Sequence, residues 1–245
     1  MNQVRPADNS AEFHAEADDV FARIAGRYDL LCDIFSLLIH RLWKDRMARQ
    51  LAREPGSDLL DLCAGTGDIP QRALRRIGER PGLQMAVSDL CPQMLDMARR
   101  KLGETDPRVS FPQLDACALA GIPDAAYDVV SMAFGMKIVD RPRAMAEAFR
   151  VLRPGGVFLC LEASRIRPEW LHRLYLGYMD ACMPLIGRIA TGGDRSAYLY
   201  LLRGIHDFPD ADGLAGELAG HGFEEVTFER LSLGITALHR AVKPA

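Results

Sequence analysis

Between positions 61 and 68 the chain reads Asp-Leu-Cys-Ala-Gly-Thr-Gly-Asp. Small residues at the turn positions Ala64, Gly65, Thr66 and Gly67 let a backbone approach a ligand closely. A turn that follows a strand and opens a helix presents its amides and the helix N-terminus to the crevice above a sheet. A pyrophosphate loop would carry G-x-G-x-x-G, but the third glycine position here is Pro70, and Asp61 and Asp68 flank the turn. Acids beside the site disfavour a pyrophosphate and favour a cationic or neutral ligand. Asp89, at the end of the second expected strand, is placed to accept both hydroxyls of a ribose. Asp115 follows the third strand and could accept from an adenine amino group. Asp61, Gly65, Gly67, Asp89 and Asp115 at successive strand ends together describe S-adenosylmethionine: a sulfonium, an amino acid, a ribose and an adenine. Helix capping by the acids would leave the glycines unexplained.

The elements that must position these residues follow from hydrophobic periodicity. Apolar residues recur at helical spacing from Val20 to Leu42, which predicts two helices ahead of the main fold. Pro55-Gly56 ends them. Strands are expected at 58–63, 83–89, 109–114, 127–134 and 157–162, with helices at 69–77, 92–102 and 143–152 between them. Such alternation implies a parallel sheet with helices on both faces. After Ser164 the pattern changes. Residues 170–183 and 197–205 read as helices separated by Pro184 and a Gly192-Gly193 turn, placed to cover the ligand-binding edge of the sheet. A helix at 214–221 and a hairpin from 225–230 and 234–241 close the chain. The expected architecture is α/β, a doubly wound, mostly parallel seven-stranded sheet with N-terminal and inserted helices as a substrate lid. One domain spans 20–245 behind a loose N-terminus at 1–19. It divides into a helical cap (20–54), a cofactor core (58–164), a lid insertion (165–210) and closing elements (211–245).

The 245 residues carry 30 basic and 33 acidic side chains, a net charge of −3, and 49% are apolar. That balance excludes a disordered chain and argues against a general nucleic-acid binder. The six cysteines are scattered singly without metal-ligand spacing, so no metal site is expected. No apolar run reaches a membrane span, and the polar N-terminus lacks the core of a signal peptide, which points to the cytoplasm.

Two longer passages narrow the reading. Tyr28-Asp29-x-x-Cys32-x-x-x-Ser36-x-x-x-His40-x-x-Trp43 resembles the N-terminal signature of the ubiquinone/menaquinone biosynthesis C-methyltransferase family. Arg150-Val151-Leu152-Arg153-Pro154-Gly155-Gly156, running on to Glu162-x-Ser164, resembles its second signature. Segments at 197–201, 208–209, 222–223 and 234–239 also look like the family, so the resemblance covers about residues 20–240. It implies methyl transfer from S-adenosylmethionine to a ring carbon of a prenylated quinol. By position, Thr66, Asp89, Asp115, Ala116 and Ala133 match the family's cofactor contacts, and Tyr28 matches a tyrosine that could cover the cofactor. Ala64, Leu90, Met94 and Phe134 complete the expected cofactor set.

The chain departs from the family where Lys137-Ile138 replaces an Arg-Asn pair and Cys32 replaces an Asn. An ammonium and an aliphatic group do not reproduce a guanidinium fork and an amide. Lys137 is the first candidate for stabilising a phenolate, with His40 and Tyr198 as further catalytic candidates. Asp194 could sit in a loop over the pocket, and Trp43 and Trp170 could border it. The departures leave open an O- or N-methyltransferase, or another S-adenosylmethionine-using enzyme, acting on a different small aromatic metabolite. An inactive cofactor-binding member of a quinone-biosynthesis assembly and, last, a nicotinamide enzyme are further alternatives. The expected partner is a small aromatic or quinol acceptor. The apolar helices around 30–42 and 171–185 could touch a membrane surface at the inner face, though they suit core or homodimer packing better.

Overall fold

The structure is a computed structural model that describes residues 25–103, 106–191 and 204–245, with 183–191 described as backbone only. A single 3₁₀ turn at Ala25–Arg27 leads into α1 (Tyr28–Phe35) and α2 (His40–Arg53). Then come β1 (Asp58–Leu62), α3 (Asp68–Ile77), β2 (Gln84–Val87), α4 (Pro92–Leu102), β3 (Val109–Ser110), β4 (Tyr127–Ala133), α5 (Arg141–Val151) and β5 (Leu152–Ala163). The long helix α6 (Glu169–Thr191), α7 (Ala211–Gly220), β6 (Glu224–Leu231) and β7 (Thr236–Val242) complete it.

One seven-stranded sheet results, in the order β3-β2-β1-β4-β5-β7-β6. Strands β1 to β5 pair in parallel, and β7 enters antiparallel between β5 and β6. The order reverses between β1 and β4, so a crevice opens beyond their carboxyl ends. The central strands β1, β4 and β5 are buried along most of their length on both faces, as a parallel sheet covered by helices requires, whereas the edge strand β6 is largely exposed. On β1 the side chains alternate: Leu59 packs with Met47, Leu51 and Ala73, whereas Leu60 and Leu62 pack with Met145, Ala148 and Phe158 on the other face.

Three elements differ from the sequence expectation. The third strand is two residues long, and Pro112, which has no N–H to donate, interrupts it before an isolated bridge from Gln113 to Asp89. The fifth strand begins at Leu152 because Gly155 and Gly156 exchange backbone hydrogen bonds with Lys243, so Pro154-Gly155-Gly156 is stitched into the sheet. Helix α6 runs through Pro184 without a break. Of the expected helix at 197–205, residues 197–203 lie outside the described residues, as do Asp194 and Tyr198. No helix among the described residues is long and apolar enough to cross a membrane.

Candidate active site

At the crevice, β1 and β4 are each followed at once by a non-glycine residue with left-handed backbone, Cys63 (φ 52°) and Phe134 (φ 57°). Such conformations carry strain and persist where surrounding structure holds them. The two strand ends meet closely: a Cβ on Gly135 would stand 2.6 Å from that of Cys63. This turn therefore admits only glycine at 135. Beyond it lies a cavity of about 400 Å³, lined by α1, α2, the ends of β1, β2 and β4, and α6. Its size suits a small-molecule site.

Of the sequence-expected residues, Tyr28, His40, Gly65, Asp89, Leu90, Met94, Asp115, Ala116, Ala133, Phe134 and Lys137 all line this cavity. Ala64, Asp61, Thr66 and Gly67 do not. A Cβ at Gly67 would lie 2.7 Å from Leu102, so this glycine serves close packing of the turn on α4, at φ 78°. Gly65 is different: a Cβ there would meet open space, on the cavity side of the turn.

Asp89 ties the turn to the end of β2. One carboxylate oxygen accepts from the Gly65 N–H at 2.8 Å and the other from the Cys91 N–H at 2.9 Å. Asp115 accepts from the Cys117 N–H at 2.8 Å. A carboxylate has about four acceptor positions, so both acids retain capacity for a ligand. Asp61 instead lies beneath the turn, 2% exposed, where it accepts a hydrogen bond from the Ser131 hydroxyl. Burial, with Asp89 nearby, pushes its pKa up to about 7 against the Ser131 bond.

Thr66 belongs to a strap rather than to the cavity wall. Its hydroxyl donates to Asp29 of α1 at 2.7 Å. Lys101 of α4 donates to Asp29, Thr66 and Asp68 at 2.7, 2.9 and 3.1 Å. Lys44 of α2 reaches Asp68 at 2.8 Å. Burial alone would raise the Asp68 carboxyl, but Lys44 and Lys101 together hold it below the usual carboxylate range. The strap fastens α1, which carries Tyr28, over the glycine turn. Contact with Cys32 and burial push the Tyr28 phenol well above its ordinary pKa, so it stays neutral.

On the opposite wall, the Lys137 ammonium lies 3.1 Å from Glu162 and donates also to the Phe134 carbonyl. It sits 5.1 Å from the centre of the Phe134 ring. Both charged side chains are buried, which excludes an ordinary surface role for Lys137. His40 is 5% exposed and pairs with Asp33 at 2.8 Å. Arg41 and His40 together hold Asp33 at a pKa of about 2, so it is ionised and must accept the Nε2 proton. Burial outweighs Asp33 and lowers the His40 pKa, and Nδ1 is buried with no hydrogen-bond partner among the described residues. Trp43 lines the cavity as expected, whereas Trp170 is exposed and does not.

Sequence reasoning assigned no role to Glu162, although the residue stands in the second signature. It also missed Cys63, Tyr175, Tyr178, Met179 and Thr236 as cavity residues. Nothing local marks these: they come from three separate segments, the turn after β1, α6 and the start of β7.

The ubiE/COQ5 methyltransferase family model matches residues 9–243. A ubiquinone/menaquinone biosynthesis C-methyltransferase UbiE from Acidiphilium cryptum is 41% identical over 225 residues, covering 90% of this chain and 88% of the relative. The same-named protein from Ruegeria sp. is 38% identical over 226 residues, 91% of this chain and 89% of the relative. The mitochondrial 2-methoxy-6-polyprenyl-1,4-benzoquinol methylase of Schizosaccharomyces pombe is 38% identical over 241 residues, 92% of this chain and 78% of that one. Among solved structures, a SAM-dependent methyltransferase from Thermotoga maritima superposes with a TM-score of 0.61 at 18% identity, covering 92% of this chain and 98% of that one. The (4+2)-cyclase SpnF gives 0.58 at 20% identity, over 82% and 81%, so the fold by itself does not name a reaction. The sequence match does: the chain belongs to the ubiE/COQ5 methyltransferase family and is an S-adenosylmethionine-dependent methyltransferase.

Proposed function

We propose that this enzyme methylates a ring carbon of a quinol that bears an apolar tail, as a step in ubiquinone- or menaquinone-type biosynthesis. One observation carries the reading. A single cavity has strand-end carboxylates, Asp89 and Asp115, at one side and a buried cation, Lys137, at another, with mostly apolar walls between. The names of the relatives support the acceptor class.

The residues present suit S-adenosylmethionine. Asp89 would hold ribose hydroxyls and Asp115 an adenine amino group, while Leu90, Met94, Leu114 and Ala116 offer apolar contact to a base. The open space at Gly65 leaves room beside the turn. When bound, S-adenosylmethionine supplies a sulfonium methyl group open to in-line displacement.

A quinol ring carbon becomes nucleophilic when a neighbouring hydroxyl loses its proton. His40 lines the cavity and is the candidate to accept that proton: burial lowers its pKa and so favours the neutral ring, while Asp33 fixes the Nε2 side. Lys137 would stabilise the phenolate by a charge-assisted hydrogen bond. Phe134, Ile138 and Trp43 exclude water, which strengthens that bond and protects the phenolate from reprotonation.

Purified protein, labelled cofactor and a panel of demethylquinols provide the test. Label on a ring carbon is the expected result, and transfer to no ring carbon overturns the reading. Lys137-Ile138 in place of Arg-Asn favours one second reading, O- or N-methylation of another small aromatic. Mass analysis of products from a metabolite extract separates the two.

A further inference from the structure

Lys44 of α2 is a buried cation with donors to spare. An ammonium has three N–H donors. In Lys44 one of them is engaged, by Asp68 at 2.8 Å, and among the described residues it has no second partner. Lys101 meets the same aspartate, yet all three of its donors are engaged, by Asp29, Thr66 and Asp68. The two lysines differ in location: Lys44 lines the cavity and Lys101 does not. His40, Trp43 and Lys44 stand at i, i+3 and i+4, so one face of α2 presents all three to the cavity. Open donors on a buried ammonium are costly unless an acceptor completes them.

The strand order tells which ligand group reaches Lys44. Along the carboxyl edge of the sheet, the order β3-β2-β1-β4 sets Asp115, Asp89, the glycine turn and Lys137 side by side. Adenine at Asp115 and ribose at Asp89 fall on one side of the turn, and an acceptor at Lys137 falls on the other. The amino-acid end of S-adenosylmethionine then falls on the turn itself. Helix α3 starts directly after that turn with Asp68, and Lys44 docks there. At that end of the cofactor the sulfonium and the amino group repel an ammonium, and the carboxylate alone can accept from it. Lys44 and Lys101 together balance Asp29 and Asp68, so a zwitterionic amino acid adds no net charge to the cluster.

We propose that Lys44 binds the α-carboxylate of S-adenosylmethionine, so that the site selects a cofactor that carries one. The proposal rests on S-adenosylmethionine as the cofactor and is independent of the acceptor.

Full-length protein is titrated by calorimetry with S-adenosylmethionine and with its decarboxylated form, which keeps the adenine, ribose, sulfonium and amino group. Wild type is expected to bind the complete cofactor about ten- to a hundredfold more tightly, the effect of one charge-assisted hydrogen bond. Lys44→Met is expected to abolish that preference. It should weaken binding of the complete cofactor and leave the decarboxylated form bound as in wild type or more tightly, since a repelling cation is gone. Lys101 still pairs with Asp68 in the variant, and retained binding of the decarboxylated form shows that the site is folded. Wild type that binds the two forms equally overturns the proposal. So does a Lys44→Met protein that keeps the wild-type preference, or one that loses affinity for both forms alike, which would give Lys44 a purely structural role. Wild type that binds neither form overturns the cofactor assignment and the proposal with it.

Discussion

The Lys137 ammonium lies 3.1 Å from a Glu162 carboxylate that has no solvent exposure. Glu162 also accepts from the backbone N–H groups of Ala163 and Lys137, at 2.7 and 3.2 Å. The carboxylate thus anchors both ends of Lys137, main chain and side chain. An ammonium on a four-carbon stem, otherwise flexible, is held in one place at the cavity wall.

Lys137→Met is expected to lower kcat about 10²–10³-fold, the effect of removing one donor to a developing oxyanion. It should also destabilise the fold by ~3 kcal/mol, because Glu162 is left buried and unpaired. Adding Glu162→Gln should restore much of the stability and none of the turnover. Steady-state kinetics and urea unfolding read the two effects separately. Full turnover in the single variant would reduce Lys137 to a structural residue.

Asp89→Ala removes the acceptor for two backbone N–H groups as well as any bond to a ligand. Each charged hydrogen bond contributes about 1.5–3 kcal/mol, so affinity for S-adenosylmethionine should fall about a hundredfold or more. Titration calorimetry measures this directly. Unchanged affinity would place the nucleoside elsewhere.

Lys101→Met unfastens α1 from the glycine turn by removing three hydrogen bonds at once. The expected result is a raised KM for S-adenosylmethionine with kcat little changed, since Lys101 does not line the cavity. Limited proteolysis should show faster cleavage within α1. A fall in kcat alone would contradict a strap.

Asp61 predicts a pH dependence of stability. Its folded pKa, about 7, stands above the ordinary value of 3.8. At pH values below both, the carboxyl is neutral in folded and unfolded chains alike. As pH rises between them the unfolded chain ionises first, so the folded state loses stability, up to about 4 kcal/mol once pH exceeds 7. Asp61→Asn, which can still accept from Ser131, should flatten this slope and leave the protein more stable at pH 8. Denaturant unfolding from pH 4 to 8 compares the two, and parallel profiles would refute the assignment.

Much of the fold was legible because its signals are local. The alternation of buried strands with helices, Pro92 at the head of α4 and the Ala64–Gly67 turn are each written within a few residues. Side-chain destinations were less legible. Asp61 and Asp89 are both acids near strand ends, yet one is sealed under the turn by Ser131 and the other faces the cavity. Thr66 sits in the turn but points its hydroxyl at Asp29, thirty-seven positions earlier.

The sequence by itself determined the doubly wound sheet, the acid-flanked glycine turn and the family, because periodicity, turn chemistry and motif spacing need no knowledge of distant neighbours. Only the tertiary structure decided that Glu162 holds Lys137, that Lys101 straps α1 to the turn, and that β5 starts at Leu152 against Lys243. It also decided that six large apolar residues between Leu30 and Leu42 stay exposed rather than enter the core. Those outcomes depend on which groups share a desolvated space. Burial and pairing are properties of three-dimensional neighbours, which spacing along the chain does not encode.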